Sequence, residues 1–425
     1  MQESFLHFVW KHQKFDKTNL QTTTGSSVSI HSIGHHNHDA GPDFLESQLM
    51  IGEVKWFGSV EIHVNASDWK NHNHHLDPKY NTVILHVVWN ADSECRREDG
   101  ESIPTLELKK LISLDLIIRC NDLVNFPSSI PCEKRFAEVR SIDKMAMLDH
   151  AAVARLKRKS EELLSLHSDN TGSWEETSYQ LIAKTFGFKK NAEPMLKLAQ
   201  SLPFKILIKH GSKREELEAL LFGMAGFLEG ESMDTYHGQL KEIYSYLRQK
   251  YNLEPKQMIK VEWKFLRMRP ANFPTVRLAQ LAQLIHLNSK FFQFILQSEN
   301  TGELKKIFQI TNPEYWVNHY DFGKESSRKM NGLGEASVDV LLVNVAAVLL
   351  AAYAQETASL SYMDKAVDLL QSLKPEKNHI ISDWEALGME PENAFDTQAL
   401  IELKNEFCLK KKCLSCKIGL KLISG

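Results

Sequence analysis

The stretch "NHDAGPDFLESQLMIGEVKWFGSVEIHVNASDWKNHNHHLDPKYNTVILHVVW" (37–89) decides how this chain is read. It alternates like a sheet, and it gathers Asp43, Glu61, His63, Asp68, His72, His74, His75 and His86 into one short region. In "SVEIHV" (59–64), side chains point alternately to the two faces of a strand. Val60, Ile62 and Val64 therefore share an apolar face, while Glu61 and His63 share the other, roughly 6.5 Å apart. Asp43 follows the Gly41-Pro42 turn and stands at the start of the next strand, "FLESQLMI" (44–51). If that strand pairs with "GSVEIHV" (58–64) through "GEVKWF" (52–57), Asp43 and Glu61 end near each other, with His63 beside them, facing a common solvent-accessible cleft. Two carboxylates so placed repel unless a cation lies between them, and oxygen ligands of this kind suit Mg²⁺ or Mn²⁺.

Outward from this segment, strand signals continue on both sides. "SVSIHSIG" (27–34) and "TVILHVVW" (82–89) are short, rich in Val and Ile, and bounded by turn residues. An amphipathic helix is expected at residues 2–12, and a mixed segment, "TLELKKLISLDLIIRC" (105–120), follows the strands. Beyond Pro131 the apolar spacing becomes three and four residues almost throughout, as in "MAMLDHAAVARLKRKSEELLSL" (145–166). "NFPSSIPCEKR" (125–135) is therefore the expected boundary between a domain over 1–130 and a helical domain over 131–425. The fold class is α+β: an amino-terminal mixed sheet with flanking helices, then a large all-α part.

Composition narrows the function classes. With 425 residues, 43% hydrophobic and 25% charged, the chain is long enough for two or three cored domains, and its makeup argues against disorder. A formal net charge of -3 gives no overall pull towards nucleic acid, so such binding would need a local patch. "MQESFLHFVWKHQKFD" (1–16) mixes charges into its apolar residues and does not read as a cleavable signal. The apolar "VDVLLVNVAAVLLAAYA" (338–354) is interrupted by Asp339 and Asn344 and reads as a buried helix. These features together point to a cytoplasmic protein with no membrane partner.

The segment 37–89 resembles the PD-(D/E)xK nuclease superfamily: a helix, a strand, an Asp opening a second strand, and Glu-x-Lys on a third. Asp43 matches the Asp, and Glu61-Ile62-His63 matches Glu-x-Lys, with His63 in place of the lysine. Glu3, on the first helix, corresponds to an accessory acid of some members, and Lys55 or Lys70 could supply the missing cation. The resemblance implies a restriction-endonuclease-like sheet and Mg²⁺- or Mn²⁺-dependent cleavage of DNA or RNA, with Asp43 and Glu61 as ligands. Over the whole chain, "ESFLHFVW" (3–10), "AGPDF" (40–44), "SDWKNHNH" (67–74), "IPTLEL" (103–108), "MRPANFP" (268–274) and "CLKKKCLSC" (408–416) resemble a bacterial family, common in Bacteroidetes, known as domain of unknown function 2851. That name implies no activity.

Two other readings stand beside the nuclease one. A binding or scaffold protein could keep the nuclease shape without its chemistry, and the missing lysine favours it. A zinc hydrolase could instead use the histidines, with His72, His74 and His86 as candidates and His35, His36 and His38 near enough in sequence to approach. Of the six cysteines, Cys408, Cys413 and Cys416 have the spacing Cys-x4-Cys-x2-Cys, which suits zinc or an iron–sulfur cluster. Cys132 is the candidate fourth ligand, and reduced thiols on a basic tail are the plain alternative. Nucleic acid is the expected partner class, and nothing in the sequence identifies a protein partner.

Overall fold

In the computed structural model, which describes residues 2–37 and 39–424, the strand signals become one mixed sheet. Helix α1 (Glu3–Lys11) precedes β1 (Val28–Ser32), β2 (His35–His36), β3 (Phe44–Ile51) and β4 (Val54–Asn65). The short helix α2 (Asp68–Asn71) then leads to β5 (Val83–Asn90) and β6 (Thr105–Glu107), and α3 (Leu114–Val124) follows. The strand order is β1-β3-β4-β5-β6, with β2 also on β3. β3 runs antiparallel to both of its neighbours, β1 and β4, whereas β5 runs parallel to both β4 and β6.

Each element follows from its residues. β5 lies between two parallel neighbours, which explains why "VILHVV" is apolar almost without a break and buried at every one of those positions. α1 buries Phe5, Leu6, Phe8, Val9 and Trp10 against β4, and it carries Glu3 in its first turn and Lys11 in its last, as the helix dipole favours. On another part of the sheet, Trp69 of α2 joins Ala66, Val83, Val88, Cys95 and Ile103 in a buried cluster. Between Phe44 and Ser47, β3 carries one residue more than β4 opposite, and Glu46 takes a left-handed φ of 59° there. This bulge adjoins Asp43.

The chain divides into two compact units, Met1–Met147 with Leu403–Gly425, and Leu148–Glu402. The sequence places a single boundary at 130/131, whereas the units part at 147/148 and again at 402/403. The tail joins the sheet-bearing unit because its last helix, Lys417–Ser424, buries Ile418, Leu422 and Ile423. Arg119 Nε donates to the Ile423 carbonyl at 2.9 Å, and an Arg135 guanidinium N–H donates to that of Leu422 at 3.2 Å. Both satisfy carbonyls of the helix's last turn.

The second unit is helical apart from the small pair His319–Asp321 and Lys324–Glu325. Its core includes Tyr179, Phe204, Phe222, Trp316 and Trp384, all essentially inaccessible. The segment Glu335–Thr357 is long and apolar enough to cross a membrane by length and composition, but 67% of its apolar window is buried inside the protein. The two polar residues that interrupt it are absorbed locally. Asp339 pairs with Lys305 at 3.0 Å, and Asn344 Nδ2 donates to the Val340 carbonyl at 3.0 Å, beside a π-helical turn at Leu342–Ala346.

Candidate functional site

Antiparallel pairing of β3 with β4 sets Phe44 opposite Val60, so the residues just outside that pair, Asp43 and Glu61, come together. The Asp43 amide donates to Glu61 Oε2 at 3.1 Å, and Asp43 Oδ2 accepts from the Ile62 amide at 2.9 Å. Parallel pairing of β4 with β5 sets Glu61 beside His86. His86 Nε2 lies 2.9 Å from His63 Nδ1, one of the two nitrogens carrying the shared proton. The chain after α2 then folds back over β4. It places His72 Nδ1 3.2 Å from His63 Nε2, and His74 Nε2 3.3 Å from Glu61 Oε1, an atom that is itself 3.4 Å from His63 Nε2.

His63, His72 and His74 each offer a nitrogen within 4.8 Å of the others. The separations His63–His72, His63–Glu61 and His74–Glu61, 3.2 to 3.4 Å, are those of hydrogen-bonded groups and equally match the edges of about 3.3 Å that bonds of 2.0–2.1 Å in a tetrahedron would give. The electrostatics favour neutral groups in the absence of a cation. Burial, reinforced by the Asp43 charge, pushes Glu61 up to about 9, so without a cation it is a neutral acid. Burial and the neighbouring histidines hold His63 down near 2, and burial holds His86 near 3 and lowers His74. Neutral imidazoles are ligands, and an added positive charge would favour the Glu61 carboxylate.

The site is covered rather than an open cleft. Side-chain exposure is 2% for His63, 6% for Glu61 and 12% for His74, but 21% for Asp43. The cover is the turn 74–80, where Tyr80 stacks on His74 with ring centres 3.8 Å apart. Solvent reaches the group along the margin formed by Asp43, the exposed His72 and α1. Glu3 belongs to that margin: it lies 3.9 Å from His7 Nε2, which is 3.3 Å from Asp43 Oδ2. Burial acts to lower His7, but Asp43 and Glu3 outweigh it and raise its pKa.

The structure thus brings together Glu3, Asp43, Glu61, His63, His72, His74 and His86. Lys55 is elsewhere: paired with Met50 at the far end of β4, about 20 Å along the strand from Glu61, it lies over Phe57. Lys70 is exposed on α2, where Trp69 takes the inward position, and its charge acts on Glu94. His36 stacks on Phe44 and meets the edge of His7, His35 faces Glu46 at the surface, and His38 lies outside the described residues. Two participants were not singled out in the sequence. His7 stands four residues after Glu3, on the same helix face, and that spacing was the available signal. Tyr80 gave none, because only the fold of the turn brings it over His74.

The chain belongs to the family described as "Protein of unknown function (DUF2851)", which matches residues 3–379 and so ends before "CLKKKCLSC". No curated protein and no solved structure matches it.

Proposed function

We propose that this protein is a divalent-metal-dependent phosphodiesterase acting on DNA or RNA, with its metal held between Glu61 and the histidines. The observation that carries the reading is the meeting of Asp43, Glu61 and His63 at one point of the sheet. The sheet supports it as well. A helix, a strand, a second strand opened by Asp43 and a third that carries Glu61 and His63 follow one another in the order of the PD-(D/E)xK resemblance.

The donor set fits a cation, and it fits one kind better than another. Imidazoles beside a carboxylate suit Mn²⁺ or Zn²⁺, whereas Mg²⁺ prefers oxygen. A bound cation supplies a Lewis acid and an activated water at neutral pH. The chain's own residues do the rest. His86 fixes the ring of His63, and Asp43, tied to the Ile62 amide, holds its carboxylate beside Glu61. Glu3 and His7 line the margin along which a phosphate would approach.

The test uses metal-stripped full-length protein and labelled single- and double-stranded DNA and RNA oligonucleotides, with Mg²⁺, Mn²⁺ or Zn²⁺ restored separately. Cleavage should return with Mn²⁺ or Zn²⁺ and fall to background in Asp43→Ala and Glu61→Ala. Equal cleavage by the wild type and both variants, or metal bound without cleavage of any of these substrates, would overturn the assignment. The second outcome would leave a metal-binding protein that keeps the sheet for another purpose.

A further inference from the structure

Outside the acid–histidine site, four cysteines of the same compact unit meet. Cys132 stands before the 3₁₀ turn Glu133–Glu138, Cys408 closes the π-helical turn Leu403–Cys408, Cys413 opens the turn Cys413–Ser415, and Cys416 precedes the helix Lys417–Ser424. All four are buried, at 7 or 8% exposure, although three lie in a loop that carries Lys410, Lys411 and Lys412. Together they line one cavity of about 20 Å³, between Leu123 and Gly419.

The surrounding chain is shaped to hold them there. Gly419 has no room for a side chain, since a Cβ would come 2.2 Å from the Cys413 carbonyl. Lys411 Nζ donates to the carbonyls of Phe126 at 2.6 Å and Ser128 at 3.0 Å, which ties the loop between Cys408 and Cys413 to the segment that presents Cys132. No disulfide relieves the crowding, for all six cysteines are free. Four thiols buried around one cavity become thiolates together only with a cation among them.

We propose that Cys132, Cys408, Cys413 and Cys416 are the ligands of a soft-metal centre, an iron–sulfur cluster, that fastens the tail to the sheet-bearing unit. One observation favours a cluster over a single zinc ion: the spacing Cys-x4-Cys-x2-Cys with one remote cysteine is a known way of holding such a cluster.

The experiment is metal and sulfide analysis of the full-length protein, purified without oxygen or reconstituted anaerobically with ferrous iron and sulfide. Iron and acid-labile sulfide in equal amounts are expected, with a visible absorption that bleaches with dithionite. Cys132→Ala and Cys413→Ala should each lose iron, sulfide and colour and melt at a lower temperature, while Cys120→Ala, which removes the remaining cysteine near Cys413, should keep all three. Should the ligand variants not fold, the wild type decides by its own content. One zinc per chain without sulfide would overturn the cluster, and a folded protein that takes up neither metal would overturn the centre.

Discussion

At Glu61, burial and the nearby Asp43 carboxylate favour a neutral acid, whereas a bound cation would favour the carboxylate. Glu61→Gln separates these two states. Because the wild-type group keeps its proton up to about pH 9 in the metal-free fold, the amide should leave metal-free stability at pH 7 nearly unchanged. It should, however, abolish the rise in melting temperature that Mn²⁺, which thiolates bind poorly, gives the wild type, a rise worth about 2.7 kcal/mol at a concentration 100 times Kd. Melting curves with and without metal check both halves, and a metal-induced rise that persists in Glu61→Gln would remove Glu61 from the ligand set. Glu218 offers a case without metal. It is fully buried, it accepts from the Tyr236 hydroxyl at 2.6 Å and from Trp316 Nε1 at 3.1 Å, and burial still pushes it up to about 7. A carboxyl raised from 4.5 to about 7 on folding means that the folded state binds more protons within that window. Stability should therefore fall as pH rises from about 4.5 to 7, by on the order of 3 kcal/mol in all, and level off above. Denaturant titrations across this range should show the slope, and Glu218→Gln should flatten it.

At the scale of elements, the β3 bulge determines where Asp43 stands, and two of its neighbours make opposite demands on the backbone. Gly34 has φ of +81°, and a Cβ there would lie 2.2 Å from the Leu45 carbonyl and 2.6 Å from Ser47 Oγ. Gly34→Ala should therefore cost more than about 1 kcal/mol. Glu46 occupies the left-handed region without being a glycine, so Glu46→Gly should be neutral or stabilising by up to roughly 1 kcal/mol. Paired denaturation curves test the two together, and equal effects of the same sign would mean that the bulge is not strained as described. The strands were legible in part: Val- and Ile-rich runs between turn residues give β1, β3 and β5 close to their observed bounds, and the alternation in "SVEIHV" does put Glu61 and His63 within reach of each other, but Val54–Phe57, read as part of the connection, are the first residues of β4 and pair with β3. The hairpin logic also brought Asp43 to Glu61. The cover was not legible: "NHNHHLDPKY" has no period, and its return over β4 depends on Trp69 seeking the cluster with Val83 and Val88. A lysine six places earlier on a strand looks near in sequence and is far along an extended chain, which is why Lys55 was a candidate and stands away from the site.

On the scale of the whole molecule, the discontinuous first unit is the feature that local patterns could not carry. A change from strand to helix period marks the end of the sheet, but which later helix packs back onto the same unit depends on contacts between residues hundreds of positions apart, such as Arg119 with Ile423 and Lys411 with Phe126. The four cysteines were the one sequence signal of that return, because a fourth ligand at Cys132 makes sense only if the tail comes back to it. Removing residues 403–425 should accordingly damage the part of the chain that is most remote in sequence. The tail's buried Ile418, Leu422 and Ile423 would be lost, at about 1.5–3 kcal/mol for each such side chain, together with the carbonyl contacts of Arg119 and Arg135. Hydrogen exchange on the truncated protein should therefore speed up in peptides from α3 and α1, while peptides from the helix Pro274–Leu287 of the second unit keep their protection. Metal uptake at Glu61 and the histidines should weaken along with α1, which packs on β4. If α3 and α1 remain as protected as in the full chain, the tail contributes nothing to the elements it packs with, and a clasp at the cysteines would have no structure to hold.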